Sequence, residues 1–500
     1  MKLSEYAQYD GLGLAELIQD KKVSPKELLE TVREAVGVVN QRINAVVDVY
    51  EDQLEKAKKK ESYPGPFFGV PFMVKDISLT EKGRPCESGS LLGKGFIAFQ
   101  DSFLTERYRS AGLILFGRTA SAEMGFSMST ETSLHGATRN PWDVEKIAGG
   151  SSGGAAAAVA SGILPMAHGN DAGGSIRIPA ACCGLFGLKP SRGRISNGPA
   201  MGDVLMGFAT EHALTLSVRD SAALLDISHG YEPGDPYIIQ RPEKPYLEEV
   251  KTPTGKLRIA FSSKPLSGVA VDQEIIQALK KGVKLCQELG HEVIEEAPEL
   301  PVDYDTFNDA CLVVYTAGFA GSAQFLSEST GRELSKEFLP HVILATLEAA
   351  SKLTAADFDR AMVIFNRCSR SIGRFFEQYD LFLTPSLAST AIPVGSLNMG
   401  DKSLSPKDWH NLSTAFSPFT VVWNVTGQPA MTVPLYESRD RLPIGIHFAA
   451  KLGDEATLFR LAGQLEEAQP WAGRRAPVHV LNVNSLLPKA NISTSYASRK

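Results

Sequence analysis

A serine hydroxyl cuts an acyl bond only where a base can take its proton and preset donors await the oxyanion. The stretch 149–175, GGSSGGAAAAVASGILPMAHGNDAGGS, holds two serines set among glycines, Ser151 and Ser175. The run Asp171-Ala172-Gly173-Gly174-Ser175 places glycines where a backbone turns sharply or approaches a ligand. Successive backbone N–H groups in such a turn form an anion nest, so Ser175 ends a candidate oxyanion hole. Two residues qualify as the base. His168 lies seven residues upstream, and Lys75 closes the apolar run Phe67-Phe68-Gly69-Val70-Pro71-Phe72-Met73-Val74.

The elements around these residues must bring them together. Residues 155–160 are strong helix formers, and Ser161-Gly162 is a helix stop. Residues 163–167 read as a short buried strand, bent at Pro165 and ending before Gly169. A helix rises ~1.5 Å and a strand ~3.3 Å per residue, so the outward helix and returning strand cover comparable distances. Both serine loops then lie at one end of the layer. A lysine at the carboxyl end of a buried strand faces the crevice where α/β sheets hold ligands.

Lys75 after an apolar strand, then GGSSGG, then GNDAGGSIRIPAACCGLFGLKPSRGR, resembles the amidase signature family. The resemblance runs from about residue 24 to Pro470-Trp471. It implies a Ser–Ser–Lys triad: Ser175 as nucleophile, Ser151 as the bridging serine after a cis peptide, and Lys75 as base. The amides of Ala172, Gly173, Gly174 and Ser175 would hold the oxyanion. Asp171 and Arg177 would brace the loop, and Ser152 would be an auxiliary hydrogen-bond partner of the lysine. Asn170 stands where many members carry Ser or Thr, a change the triad is expected to tolerate. Gly125, Phe126, Ser127 and Met128 would contact substrate, and Cys311 falls in a segment where related nylon-oligomer hydrolases keep a cysteine by the pocket. The implied fold is α/β: one large domain with a mixed, mostly parallel central sheet covered by helices on both faces. The chemistry implied is hydrolysis of a carboxylic amide through an acyl-enzyme, with no metal and no cofactor.

A lysine base must be neutral. From a reference pKa of ~10.4, half-neutrality at pH 7 needs a drop of ~3.4 units, or ~4.6 kcal/mol. Desolvation is the source, with Phe72, Met73 and Val74 as apolar neighbours. Asp76 would oppose it, but successive strand residues point to opposite faces.

The remaining chain fits this scheme. Ser24-Pro25-Lys26-Glu27 is a capping box with proline at the first helical position, opening an amphipathic helix over 25–39. Strands alternate with helices, as in a layered sheet. The βαβ unit over 257–296 has no glycine fingerprint of a nucleotide site. One domain is expected over 1–487, its N-terminal helical segment 1–62 included, followed by a polar tail, 488–500. A net charge of −6 disfavours nucleic acid as a partner, and six cysteines, Cys182 and Cys183 adjacent and the others scattered, suit free thiols in a reducing compartment. With no signal-peptide core and no run of 18 apolar residues, a cytoplasmic enzyme away from the membrane is expected, acting on a small-molecule amide. A homodimer is compatible with this reading.

Two rivals stand beside it. One is the glutamine-using, amide-transferring subunit of a tRNA-dependent amidotransferase, although 308–323 lacks the tyrosine-rich, arginine-ending tract of that branch. SRGRISNGPAMGD and HGYEPGDPY look more like stand-alone amidases, among them aminohexanoate cyclic-dimer hydrolases and aryl acylamidases. The other rival is an inactive binding protein of the same fold, against which all three triad residues speak.

Overall fold

The computed structural model describes residues 1–59 and 65–482. The expected boundary at 487/488 and the polar tail lie outside them.

Helix α1 (Pro25–Ile43), which follows two shorter helices, starts at the Ser24 cap, where the Ser24 hydroxyl accepts from Glu27 N and the Glu27 carboxylate accepts from Ser24 N. Such a cap is worth ~1 kcal/mol. Its apolar stripe (Leu28, Leu29, Val32, Ala35, Val39) is wholly buried. A three-stranded sheet follows from β1 (Val46–Val49), β2 (Pro71–Lys75) and β3 (Ile114–Thr119). In it β3 is central, antiparallel to β1 and parallel to β2. Helix α2 (Phe103–Ser110) leads into β3.

The signature stretch then contributes α3 (Gly153–Ala160), β4 (Met166–Asp171) and α4 (Arg177–Cys183). Every residue of α3 is buried. The smallness of its side chains is a packing requirement, since a Cβ on Gly154 would stand 2.3 Å from the backbone nitrogen of Ala120. The strand was expected over 163–167, ending before Gly169, but it begins later and runs on to Asp171. The reason is its neighbour: β5 (Phe186–Lys189) is followed by β6 (Thr210–Thr215), which pairs antiparallel with β4 along its length, Thr210 opposite Asp171 and Thr215 opposite Met166.

Beyond α5 (Val218–Ser228), β7 (Arg258–Phe261), α6 (Gln273–Glu288) and β8 (Glu292–Glu295) form the expected βαβ unit. Three helices follow, α7 (Tyr304–Thr330), α8 (His341–Ala350) and α9 (Ala355–Phe375), then β9 (Leu381–Pro385). The chain closes with α10 (Pro406–Phe416), α11 (Val421–Thr426), β10 (Ala430–Glu437), β11 (Pro443–Ala450) and α12 (Glu455–Ala468). The eight-stranded sheet runs β8-β7-β9-β11-β10-β5-β6-β4. It is mixed, but the expectation that it is mostly parallel is corrected: only β7–β8 and β7–β9 are parallel, and the other five junctions are antiparallel. The β10–β11 hairpin and the antiparallel pairing of β6 with both β4 and β5 set strands side by side that no βαβ crossover constrains.

Helix α7 is long and apolar enough, by length and composition alone, to cross a membrane. In the fold its Phe307, Ala310, Cys311 and Val314 pack against Phe365 and Cys368 of α9 in a second core beside the sheet.

Candidate active site

Lys75 ends β2 at 1% exposure, in a strand buried at every position. Its amine is 2.7 Å from Ser151 Oγ and donates to Asn170 Oδ1 at 2.5 Å. Burial brings its pKa from 10.5 down to about 7, against the upward pull of Glu211 and Asp171. That is the size of drop that a lysine base requires. Asp76, the next residue, faces away: its carboxylate accepts from Arg118 at 2.5 Å and from the amides of Glu87 and Gly89.

The two serine loops meet. Ser152 N donates to the Ser175 carbonyl at 3.3 Å, and the Gly150–Ser151 peptide is cis. Ser152 takes a different role from the one expected. Its hydroxyl donates to the carbonyl of Asn170 (3.2 Å), while the Asn170 side chain, anchored by its Nδ2 to Ser78 Oγ (2.7 Å), meets the lysine. Asparagine reaches one bond further than serine or threonine would, so the side chain at 170 itself meets the amine. The Ser175 hydroxyl has no hydrogen-bond partner among the described residues and lies on the wall of a cavity.

His168, the other candidate base, is committed elsewhere. Its Nδ1 accepts from the backbone N–H of Lys75 (3.2 Å), so its Nε2 carries the proton toward Glu211 (2.9 Å). It fixes the end of β2 to β4 and offers neither nitrogen to a serine.

Asp171 and Arg177 form the brace. Both are fully buried, with Nε and Nη2 of Arg177 each 2.9 Å from the carboxylate. Burial alone would raise the Asp171 pKa; the Arg177 charge and hydrogen bonds, with Asn424, hold it well below the usual carboxylate range. The same carboxylate accepts from the amides of Gly174 (2.7 Å) and Ile176 (3.1 Å). Gly174 therefore leaves the expected set of oxyanion donors, because its N–H already has an anion. The amides of Ala172, Gly173 and Ser175 remain. The carbonyls of this turn are held from outside by Tyr315 OH on Ala172 (2.9 Å) and Thr420 Oγ1 on Gly173 (2.6 Å). At Gly174 φ is +133°, and a Cβ would meet Thr420 Oγ1 at 2.6 Å, so the turn demands glycine.

Gly125, Phe126, Ser127 and Met128 all line the cavity beside Ala172, Gly173 and Ser175. Cys311 does not. The wall of α7 is made by Leu312, Tyr315, Thr316 and Phe319, one helical stripe, while Cys311 sits on the face turned to the second core. Other lining residues, among them Trp409, His410 and Ser413 on α10 and Thr346 on α8, escaped the sequence reading. Its only trace there is the helical spacing of aromatic residues, which core packing produces equally well. Among the described residues, none that lines the cavity is a carboxylate, lysine or arginine.

Among the described residues, Asp76, Glu87 and His135 bring ligand atoms within 4.8 Å of one another. Arg118 bonds to both carboxylates, so this is an ion-pair cluster.

Residues 27–459 match the family model for Amidase. The 6-aminohexanoate-cyclic-dimer hydrolase of Pseudomonas sp. (strain NK87) is 35% identical over 493 residues, covering 96% of this chain and 98% of that one. A solved structure of a 6-aminohexanoate cyclic dimer hydrolase with substrate superposes with a TM-score of 0.89 at 34% identity, covering 94% of this chain and 99% of its own. A bacterial aryl acylamidase of the amidase signature enzymes gives 0.83 at 26% identity, with 93% and 99% covered. The chain belongs to the amidase family and is a hydrolase of amide bonds.

Proposed function

We propose that the enzyme hydrolyses an uncharged small-molecule amide, linear or cyclic, through an acyl-enzyme on Ser175. The observation that carries this reading is the 2.7 Å bond between a buried Lys75 amine and the Ser151 hydroxyl, beside a serine that faces a cavity. Ser175 attacks the carbonyl as its proton passes to Ser151 and from Ser151 to Lys75. The amine has two protons and a lone pair when neutral. One proton goes to Asn170 Oδ1, which leaves the lone pair free to be turned to Ser151. The oxyanion forms against the amides of Ala172, Gly173 and Ser175, each good donor contributing ~3–4 kcal/mol. The proton returns by the same relay to the leaving amine, and water then opens the ester. No step calls on a metal or cofactor.

A glutamine substrate would bring an ammonium and a carboxylate into a cavity whose walls carry no charge, and each would be desolvated without a partner. The cyclic dimer hydrolysed by the relatives is uncharged and suits the walls better. The reading extends to a cytoplasmic enzyme without a nucleic-acid partner.

The test is twofold. Ser175→Ala should lose amide turnover while keeping its circular dichroism and Tm, and a fluorophosphonate should modify the wild type at Ser175 by peptide mass mapping. Residual turnover in Ser175→Ala above ~0.1% of wild type, or labelling of another residue, would sink the reading.

A further inference from the structure

We infer that the substrate has a flat, aromatic-like body and a second, neutral hydrogen-bonding group remote from the scissile amide, and that Ser413 receives that group. The inference rests on the proposed function and names the substrate class of the same site.

The body follows from the walls. The Phe126 ring lies 4.5 Å from Phe319 and is stacked on Trp409 at 6.3 Å and 21°. Tyr315 is stacked on Phe319 at 6.1 Å and reaches His410 at 5.8 Å. These rings adjoin across three elements, Phe126 tilted at 57° to Phe319 and Tyr315 at 51° to His410, and an aromatic ligand can meet them stacked or edge to face. Neutrality follows from the lining. It holds no fixed charge, and burial pushes the His410 pKa down to about 4, so the imidazole is neutral at pH 7.

The second polar group follows from Ser413. Most polar side chains of the cavity are already engaged within the protein: Tyr315 OH donates to Ala172 O, Thr346 to Val342 O and Thr414 to His410 O. His410 Nε2 meets Asn308 Oδ1 at 2.9 Å. Ser413 is 6% exposed and lines the cavity, yet its hydroxyl has no hydrogen-bond partner among the described residues. An unpaired buried hydroxyl is costly, and a ligand group that pairs it recovers that cost. Helical spacing puts Ser413 on the face of α10 that carries Trp409 and His410. Tyr315 spans the interval, its hydroxyl beside Ser175 at Ala172 and its ring against His410. A substrate lying along Tyr315 has its reacting carbonyl at one end and Ser413 at the other. A carbamoyl group across an aromatic ring meets this requirement.

The test uses two series of para-substituted compounds, N-acetyl anilides and N-methyl benzamides, each with carbamoyl, methyl or carboxylate at the para position. Dissociation constants are measured on Ser175→Ala, and kcat and KM on the enzyme with Ser175 intact. In at least one series the carbamoyl compound should bind about three- to tenfold tighter than the methyl compound, the range of one net hydrogen bond. The carboxylate should bind weakest. Adding Ser413→Ala should bring the carbamoyl-to-methyl ratio near one, through KM rather than kcat, and Ser413→Thr should restore it. Equal binding of carbamoyl and methyl compounds in both series, preference for the carboxylate, or a ratio untouched by Ser413→Ala would overturn the inference. If the predicted order holds on Ser175→Ala but no compound is turned over by the wild type, the subsite stands and the hydrolytic reading fails. Turnover without that order is the converse.

Discussion

Replacing Asn170 with aspartate puts a carboxylate where a neutral carboxamide oxygen now meets the Lys75 amine at 2.5 Å. Burial brings that amine to about 7 even though Glu211 and Asp171 pull it upward. A third carboxylate, in contact, strengthens the opposing pull. Two unit charges ~3 Å apart at an effective dielectric of about 20 attract by roughly 5 kcal/mol, the equivalent of about four pH units. The aspartate's own burial takes part of this back, and neighbouring charges usually shift a pKa by about 1–3 units. With a shift of about two units, the neutral fraction of the lysine at pH 7 falls from about one half to about one hundredth. The kcat/KM of Asn170→Asp at pH 7 should therefore fall about fiftyfold and recover above about pH 9. The assay is a pH profile of kcat/KM on an anilide, which reports groups of the free enzyme. Wild type should rise to a plateau with its midpoint near the lysine value of about 7. Asn170→Ser, which keeps a neutral oxygen, should share that midpoint. A profile for Asn170→Asp with the wild-type midpoint, or activity that stays lost in alkali while the fold is intact, would refute the lysine as the base.

Two further perturbations test the same electrostatics through stability. Folding lowers the Lys75 pKa from 10.5 to about 7, so between those values the unfolded chain holds the extra proton and stability rises with pH. Over the full window this amounts to at most about 5 kcal/mol; Lys75→Met should flatten the rise of Tm with pH between 7 and 10 and abolish turnover, and an unchanged Tm slope would count against the buried amine. Asp171→Asn leaves Arg177 charged and unpaired in the core, so urea unfolding should show a loss of about 3–5 kcal/mol, and kcat should fall with it as the turn loosens. A loss under 1 kcal/mol would mean that Arg177 finds other partners.

Residues 149–175 were legible because their constraints are local. Glycines at turns and a run of small residues whose Gly154 lies against the Ala120 backbone point to the conformation adopted, as does, outside this stretch, a lysine at the end of an apolar strand. The sheet was less legible. The hairpin of β10 and β11 and the pairing of β6 with both β4 and β5 make junctions antiparallel, and pairing partners far apart in sequence leave no periodicity to read. The same limit hid the pocket. Tyr315, Thr420 and Asn424 hold the serine turn from more than 140 residues away, on or just before helices whose spacing of apolar positions is that of any packed helix.

Gly174 and Asn170 show what separates a motif from its chemistry. The motif names a run of four amides as one nest, yet the Asp171 carboxylate fixes the turn by taking the Gly174 N–H for itself. On the proposed mechanism the brace and the oxyanion hole compete for the same donors, and bracing the turn takes one of them. At the lysine the balance is similar. An amine at the neutral edge of its titration must keep its lone pair toward Ser151, and an acceptor for its N–H directs it there. A carboxylate acceptor would direct it as well but would hold the proton; a neutral oxygen directs without charging. Serine, threonine and asparagine all supply a neutral oxygen. The exchange at 170 is therefore tolerable on electrostatic grounds, and the longer side chain meets the amine itself while Ser152 is left to hold the strand end through the Asn170 carbonyl.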